Sequence, residues 1–372
     1  MVNTLEIQQY HIWEKLIGKR TPLTIELEIT ARCNLNCRHC YINLAANDQE
    51  AQDRELSVKE ILGIARQAVD MGAIWCLITG GEPLLRPDFG DIYMGLKRLG
   101  LLLSVFTNAT LISNQLVELF KKYPPRDLEV TVYGATSKTF EQVTRRPGSF
   151  KHFMNGLNKL EANEIGVRLK SMALQSNFHE QQQMAAFCQG RTKDYYRFDP
   201  HLRLRFDGNS TRNKEILAER LTPEQVVALE QSDDKRMEVL VKHCNDLINE
   251  QFTQFEYDHL FSCGAGNSSF YVSYDGIFHL CPPLCAEVTT YDLRKGTLAE
   301  AWYDFVPQVL AMRSQRKSFL ETCRKCALVN LCLWCPAHAH LETNQLDGTT
   351  PYFCEVAHRR AENIKKQANK KK

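Results

Sequence analysis

From residue 24 onward two hydrophobic rhythms alternate along the chain. Over residues 24–30, Ile25, Leu27 and Ile29 alternate with Glu26 and Glu28, the period of a strand buried on one face. Over residues 58–71, Ile61, Leu62, Ala65, Ala68 and Val69 recur at helical spacing, and an apolar run follows at 73–79. The same pairing returns four times. Helical patterns near 89–99, 114–122, 150–162 and 180–188 lead to strand patterns at 101–106, 128–133, 167–174 and near 195–204. Six strands separated by helices predict an α/β protein with a parallel sheet and helices on its outer face. The expected form is a curved, partial (β/α)6 barrel with its site at the C-terminal ends of the strands.

Beyond residue 205 the rhythm changes. Residues 206–258 are polar and helical without strand patterns, and Thr222 before Pro223 marks a helix start. The expected organisation is therefore an N-terminal extension (1–23), a barrel (24–205), a helical bridge (206–258) and a cysteine-rich C-terminal domain (259–372).

Composition narrows the classes open to this chain. At 372 residues, 44% hydrophobic and 24% charged, it reads as a globular protein of two or three domains. A net charge of +2 gives no basic face for nucleic acid, and the lysines at the C-terminus read as a solvated end. The longest apolar stretch, near 99–106, is far short of the roughly 20 residues that span a membrane, and no signal pattern opens the chain. Fourteen cysteines without an export signal point to metal binding in a reducing, cytoplasmic setting rather than to disulfides.

The first strand runs into Cys33, Cys37 and Cys40. Three thiolates on one loop can hold a soft metal centre, and a 4Fe–4S cluster takes four, so one iron would stay open. Zinc would want a fourth ligand, and none stands beside this loop.

The Cys-x3-Cys-x2-Cys spacing resembles the signature of the radical S-adenosylmethionine (SAM) enzymes. That resemblance implies a partial barrel over residues 24–205 and SAM bound at the open iron through its amino and carboxylate groups. It also implies reductive cleavage of the sulfonium to a 5′-deoxyadenosyl radical that abstracts a hydrogen atom. Gly80-Gly81-Glu82, after the second strand, looks like the motif that binds the methionine amino group. Thr107 and Asn108 look like the family's Thr-Asn pair beside the cofactor. Thr131 falls where relatives place a hydroxyl residue toward the ribose, and Arg145 resembles the arginine that pairs with the SAM carboxylate. His39 occupies the position where the family often has a ring near the adenine, and it reads equally as an exposed loop histidine.

The C-terminal cysteines resemble the SPASM extension of radical SAM proteins, which holds auxiliary iron–sulfur clusters. Their order is Cys263, then Gly276 and Cys281, then Cys323, Cys326, Cys332 and Cys335, and finally Cys354. By resemblance, Cys323, Cys326, Cys332 and Cys354 would hold one 4Fe–4S cluster and Cys263, Cys281 and Cys335 another, with Cys285 the nearest candidate for a fourth ligand. The family usually puts three residues between the last pair, whereas two separate Cys332 from Cys335. Zinc remains the competing occupant of such Cys-x2-Cys pairs. Cys76, Cys188 and Cys244 read as ordinary buried thiols.

The expected function is therefore a radical SAM oxidoreductase with three clusters. It would crosslink or oxidise a peptide or protein side chain, in maturation of a ribosomally made peptide, with an external electron donor. Residues 1–23 are too few for a leader-gripping winged-helix domain, so leader recognition would fall to a separate protein or to the bridge. Pro282 after Cys281 disfavours the sulfatase-oxidising subgroup, which has an acid there; Asp275 and Glu287 are near but do not match. No catalytic side chain beyond the clusters is identified. Oxidation of a small molecule and a non-catalytic iron–sulfur scaffold are the alternatives.

Overall fold

The computed structural model describes residues 16, 18–194, 196–243, 248, 258–332 and 334–370. Tyr195, at the expected start of the sixth strand, and Cys244 lie outside these residues, as does most of the extension 1–23.

All six strands expected from the hydrophobic rhythm are present: β1 (Thr24–Glu28), β4 (Trp75–Thr79), β5 (Leu102–Thr107), β6 (Asp127–Val132), β7 (Arg168–Met172) and β8 (Arg197–Asp199). Each pairs in parallel with the next. Two short strands, β2 (Arg32–Cys33) and β3 (Leu44–Ala45), pair across the cysteine loop. Alternation sorts the side chains. Ile25, Leu27, Cys76, Ile78, Leu103, Val105, Val130 and Leu169 face the helices in one continuous core. The opposite parity carries Glu26, Glu28, Glu129, Thr131 and Lys170, so the inner face of the sheet is polar.

The helices follow from the same logic. They are α1 (Gln49–Arg54), α2 (Val58–Asp70), α3 (Phe89–Arg98), α4 (Asn114–Lys122), α5 (Ser137–Thr144), α6 (Ser149–Ala162) and α7 (Gln181–Gln189). In α2 the buried residues are Ile61, Ile64, Ala65 and Ala68, and a Ser57–Glu60 capping box closes its first turn. Helix α5 has no counterpart in the sequence reading; its buried face is small, with Phe140 and Val143 the only large apolar members. Cys76 and Cys188 are buried thiols, as expected.

The bridge forms α8 (Ser210–Glu219), α9 (Pro223–Gln231) and α10 (Asp234–Lys242) among its described residues. Thr222 caps α9 with Pro223 in its first turn, as the sequence indicates. The periodicity gave no hint of what comes next. Strand β9 (Ser269–Val272) pairs in parallel with β1, so the cysteine-rich region extends the barrel sheet itself. Strands β10 (Ile277–His279) and β11 (Thr290–Asp292) add antiparallel neighbours, giving a nine-stranded sheet in the order β11-β10-β9-β1-β4-β5-β6-β7-β8. Helices α11 (Pro336–Thr343) and α12 (Pro351–Lys370) close the chain. Among the described residues no helix is long and apolar enough to cross a membrane.

Candidate active site at the strand ends

The cysteine loop leaves β1 and is fastened at both ends. Thr30 Oγ1 accepts a hydrogen bond from Arg32 N (3.0 Å). The Arg32 guanidinium forks onto Glu55, with Nε to Oε1 at 2.8 Å and Nη2 to Oε2 at 3.1 Å. Arg86 donates to the carbonyls of Ile29 and Leu56, both at 2.9 Å. Further along, Asn36 N and Arg38 N donate to the carbonyls of Thr144 and Val143, hanging the loop on the end of α5.

The three thiols point into a shared interior. Cys37 is buried and Cys33 and Cys40 are partly buried, and burial pushes the thiols of all three above their ordinary range. Cys33 and Cys40 both act on Cys37 electrostatically. Two arginines oppose the rise. Arg212 donates from Nη2 to Cys37 O (2.8 Å), and Arg205 from Nη1 to Asn43 Oδ1 (3.1 Å). Arg212 favours the thiolates of Cys37 and Cys40, and Arg205 that of Cys40.

This donor set suits a polynuclear iron–sulfur group. Its three donors are soft thiols that act on one another, Cys33 and Cys40 on Cys37 and Cys40 on Cys33. Zinc would draw four ligands to about 2.3 Å of one point, whereas a cluster accepts sulfurs spread around a larger core.

The glycine motif packs against this loop rather than standing free. A Cβ on Gly80 would lie 2.4 Å from Thr30 O, and one on Gly81 2.4 Å from Arg32 O and 2.5 Å from Ala31 O. Only glycine allows that approach, and Gly81 N donates to Thr30 O (2.7 Å). The approach delivers Glu82, which is fully buried. Its Oε1 accepts from Thr107 Oγ1 (2.8 Å) and Leu84 N (3.1 Å), and its Oε2 from Asn108 N (2.7 Å). Burial still pushes the carboxyl up to about 7. Asn108 Nδ2 reaches Cys33 Sγ at 3.8 Å and Asn34 Oδ1 at 3.0 Å. Glu82, Thr107, Asn108 and Cys33 thus form one connected group.

The softer candidates are scattered around it. Arg145 ends α5 in the left-handed region and pairs with Glu215 on α8, Nη2 to Oε1 at 2.7 Å. That contact, with Arg212 adding, holds the Glu215 carboxyl below its usual range. Thr131 lies beside Lys170 in register on the inner face. His39 is buried rather than an exposed loop residue; burial pushes its imidazole down to about 4, and its ring lies 5.4 Å from that of Tyr133.

The C-terminal cysteines separate into two groups. Cys323, Cys326, Cys332 and Cys354 line one largely apolar cavity of about 480 Å³ with Trp334 and Phe319. Their thiols act on one another, and burial raises that of Cys332 to about 11. Cys281 is influenced by Cys335 and Cys263, with burial lifting it to about 12. Cys285 stands apart: its thiol lies 3.9 Å from Phe206 O and faces a different cavity.

Sequence reasoning missed Arg205, Arg212 and Glu215. They belong to the bridge and its approach, far from any motif, and no local spacing marks them.

Residues 27–183 match the family described as the Radical SAM superfamily. The chain is 29% identical over 159 residues to an AdoMet-dependent heme synthase of Methanosarcina barkeri, covering 43% of this chain and 45% of that one. It is 29% identical over 165 residues to the antilisterial bacteriocin subtilosin biosynthesis protein AlbA of Bacillus subtilis, covering 44% and 36%. The chain thus matches less than half the length of these two relatives. Its fold is similar to that of Streptococcus suis SuiB bound to S-adenosylmethionine, with a TM-score of 0.67, 17% identity, and 92% of this chain and 77% of that one covered. A further SuiB structure holds the precursor peptide SuiA.

Proposed function

This chain carries a radical SAM domain at residues 27–183, and from that premise we propose that it is a radical SAM enzyme that crosslinks or oxidises a side chain of a ribosomally made peptide. The observation that carries the proposal is the connected group of Cys33, Asn108, Thr107 and Glu82 at the strand ends. When bound, the cluster and SAM supply the one-electron chemistry that generates a hydrogen-abstracting radical.

The chain's own residues bind and orient. Cys33, Cys37 and Cys40 hold the cluster, with Arg212 favouring the thiolates of Cys37 and Cys40 and Arg205 that of Cys40. Glu82 receives the SAM ammonium, an opposite charge that offsets the cost of burying its carboxylate. Thr107 and Asn108 fix both of its oxygens. Arg145 would exchange Glu215 for the SAM carboxylate, and Thr131 and His39 would serve the ribose and adenine. Cys323, Cys326, Cys332 and Cys354 hold one auxiliary cluster; Cys263, Cys281 and Cys335 hold three positions of a second. AlbA, named for bacteriocin biosynthesis, favours a peptide substrate. An external electron donor, a separate leader-binding protein and a cytoplasmic location complete the proposal. The heme synthase similarity favours a second reading, action on a small molecule.

The test is anaerobic reconstitution with SAM, a reductant and peptides encoded beside the gene. Release of 5′-deoxyadenosine with a mass change on a peptide supports the proposal. Its release with small molecules alone supports the second reading, and failure to bind SAM refutes both.

A further inference from the structure

A cavity of about 480 Å³ opens between the end of β1, the loop at 41–44, α1 and the β9–β10 hairpin. Its lining joins the barrel to the cysteine-rich region, and no role assigned above explains it. Two features define its chemistry.

The first is uncompensated negative charge. Glu28 lies on the inner face of β1, is 5% exposed, and lines the cavity. Its Oε2 accepts the phenolic hydrogen of Tyr271. It forms no ion pair among the described residues, and Asp275 adds negative charge nearby. The two arginines lining the cavity are already engaged. Arg54 pairs with Asp275. Arg205 donates from Nε to Asp207 Oδ1 (2.9 Å) and from Nη1 to Asn43 Oδ1 (3.1 Å).

The second is an aromatic wall. Tyr41 and Phe206 pack together with ring centroids 4.7 Å apart, and Tyr274 also lines the cavity, with Arg54 over its ring. A buried carboxylate and aromatic faces in one lining suit an organic cation on an alkyl stem. An anion would meet Glu28, while Asp275 is already paired with Arg54. The Tyr271 hydrogen bond ties β1 to β9, and the Tyr274 backbone donates as well, yet two neutral donors bring no positive charge to Glu28.

We propose that this cavity binds a lysine or arginine side chain of the peptide substrate, its cation against Glu28 and its stem along the packed Tyr41–Phe206 pair. The inference rests on the peptide reading above and adds the chemical class of the side chain selected.

Calorimetric titration of the reconstituted full chain tests it. The probes are n-butylammonium, its neutral counterpart N-butylacetamide, and the tripeptide acetyl-Gly-Lys-Gly-amide. The cation and the tripeptide should bind and the neutral amide should not. Glu28→Gln, with fold and iron content checked, should weaken both by about tenfold or more, since a charge-assisted contact is lost. Tyr271→Phe removes the inter-strand hydrogen bond but keeps the carboxylate, so it should retain binding; a merely structural Glu28 would make the two variants alike.

Equal affinity for the neutral amide, or a folded Glu28→Gln protein that binds the cation as wild type does, overturns the proposal. If Glu28→Gln does not fold, the wild-type comparison of cation with neutral amide decides. Binding of butylammonium without the tripeptide overturns the peptide assignment. If cations bind while no peptide is ever modified, the peptide reading fails and the cavity stands as an amine site. If peptides are modified but cations do not bind, the cavity inference alone fails.

Discussion

Replacing Glu82 with glutamine separates what this carboxylate does for the ligand from what it does for the fold. Glu82 is fully buried and its carboxyl is pushed from 4.5 to about 7. That difference corresponds to about 3 kcal/mol of preference for the neutral form in the folded, SAM-free protein. Because the folded value lies above the unfolded one, this contribution favours folding at low pH and is lost as pH rises from 4.5 through about 7. Roughly 1 kcal/mol of it disappears between pH 6 and 8.

Glutamine carries no charge and removes that slope, but it turns an acceptor into a donor. Thr107 Oγ1, Leu84 N and Asn108 N all donate to the carboxylate, so one faces an amide nitrogen, at a cost of about 1–3 kcal/mol. At pH 8 the two effects oppose, and Glu82→Gln should stay within about 2 kcal/mol of wild type in stability. SAM binding has no such compensation. Loss of a charged hydrogen bond to the ammonium should weaken affinity about tenfold to a hundredfold. Calorimetry with SAM, and unfolding midpoints at pH 6 and 8 without it, check both parts. Wild-type SAM affinity in Glu82→Gln, or pH profiles of stability that run parallel in the two proteins, would refute the reasoning.

Three further outcomes are expected. Changing Cys33, Cys37 and Cys40 together to alanine should lower iron from about twelve to about eight per chain after anaerobic reconstitution; unchanged iron would remove these residues from any cluster. Cys285→Ser should leave the iron content as in wild type, because Cys285 faces the Glu28 cavity and not Cys263, Cys281 and Cys335, while Cys354→Ala should reduce it. Gly81→Ala brings a Cβ to 2.4 Å from Arg32 O, so the loop must shift; cluster loading should fall and stability drop by about 1–3 kcal/mol, measured by iron retention and thermal unfolding. Full loading in Gly81→Ala would show that the close backbone approach is dispensable.

Several features of this protein were local enough to be determined by the sequence alone. Strand and helix periods report which face each segment buries, so β1, β4, β5, β6, β7 and β8 and their parallel order were legible from alternation. The three cysteines of the loop were legible because their spacing puts three thiols on one short loop directly after a strand. Glu82 was legible through the resemblance of Gly80-Gly81-Glu82, one strand after the cysteine loop, to the family's motif. The division of the later cysteines into two groups came from the resemblance to the SPASM extension and not from their spacing alone.

What the tertiary structure decided depends on segments far apart in the chain. Arg205 and Arg212 come to Cys40 and Cys37 only because the bridge folds back over the loop. Arg145 meets Glu215 by the same folding. Glu28 reads as an ordinary polar position of an alternating strand until β9 pairs with β1 and brings Tyr271 against it. Periodicity states which way a side chain points; it carries no information about which distant element will face it. Charge compensation, burial of a carboxylate and the walls of a cavity are properties of that meeting, and they exist only once the chain has closed.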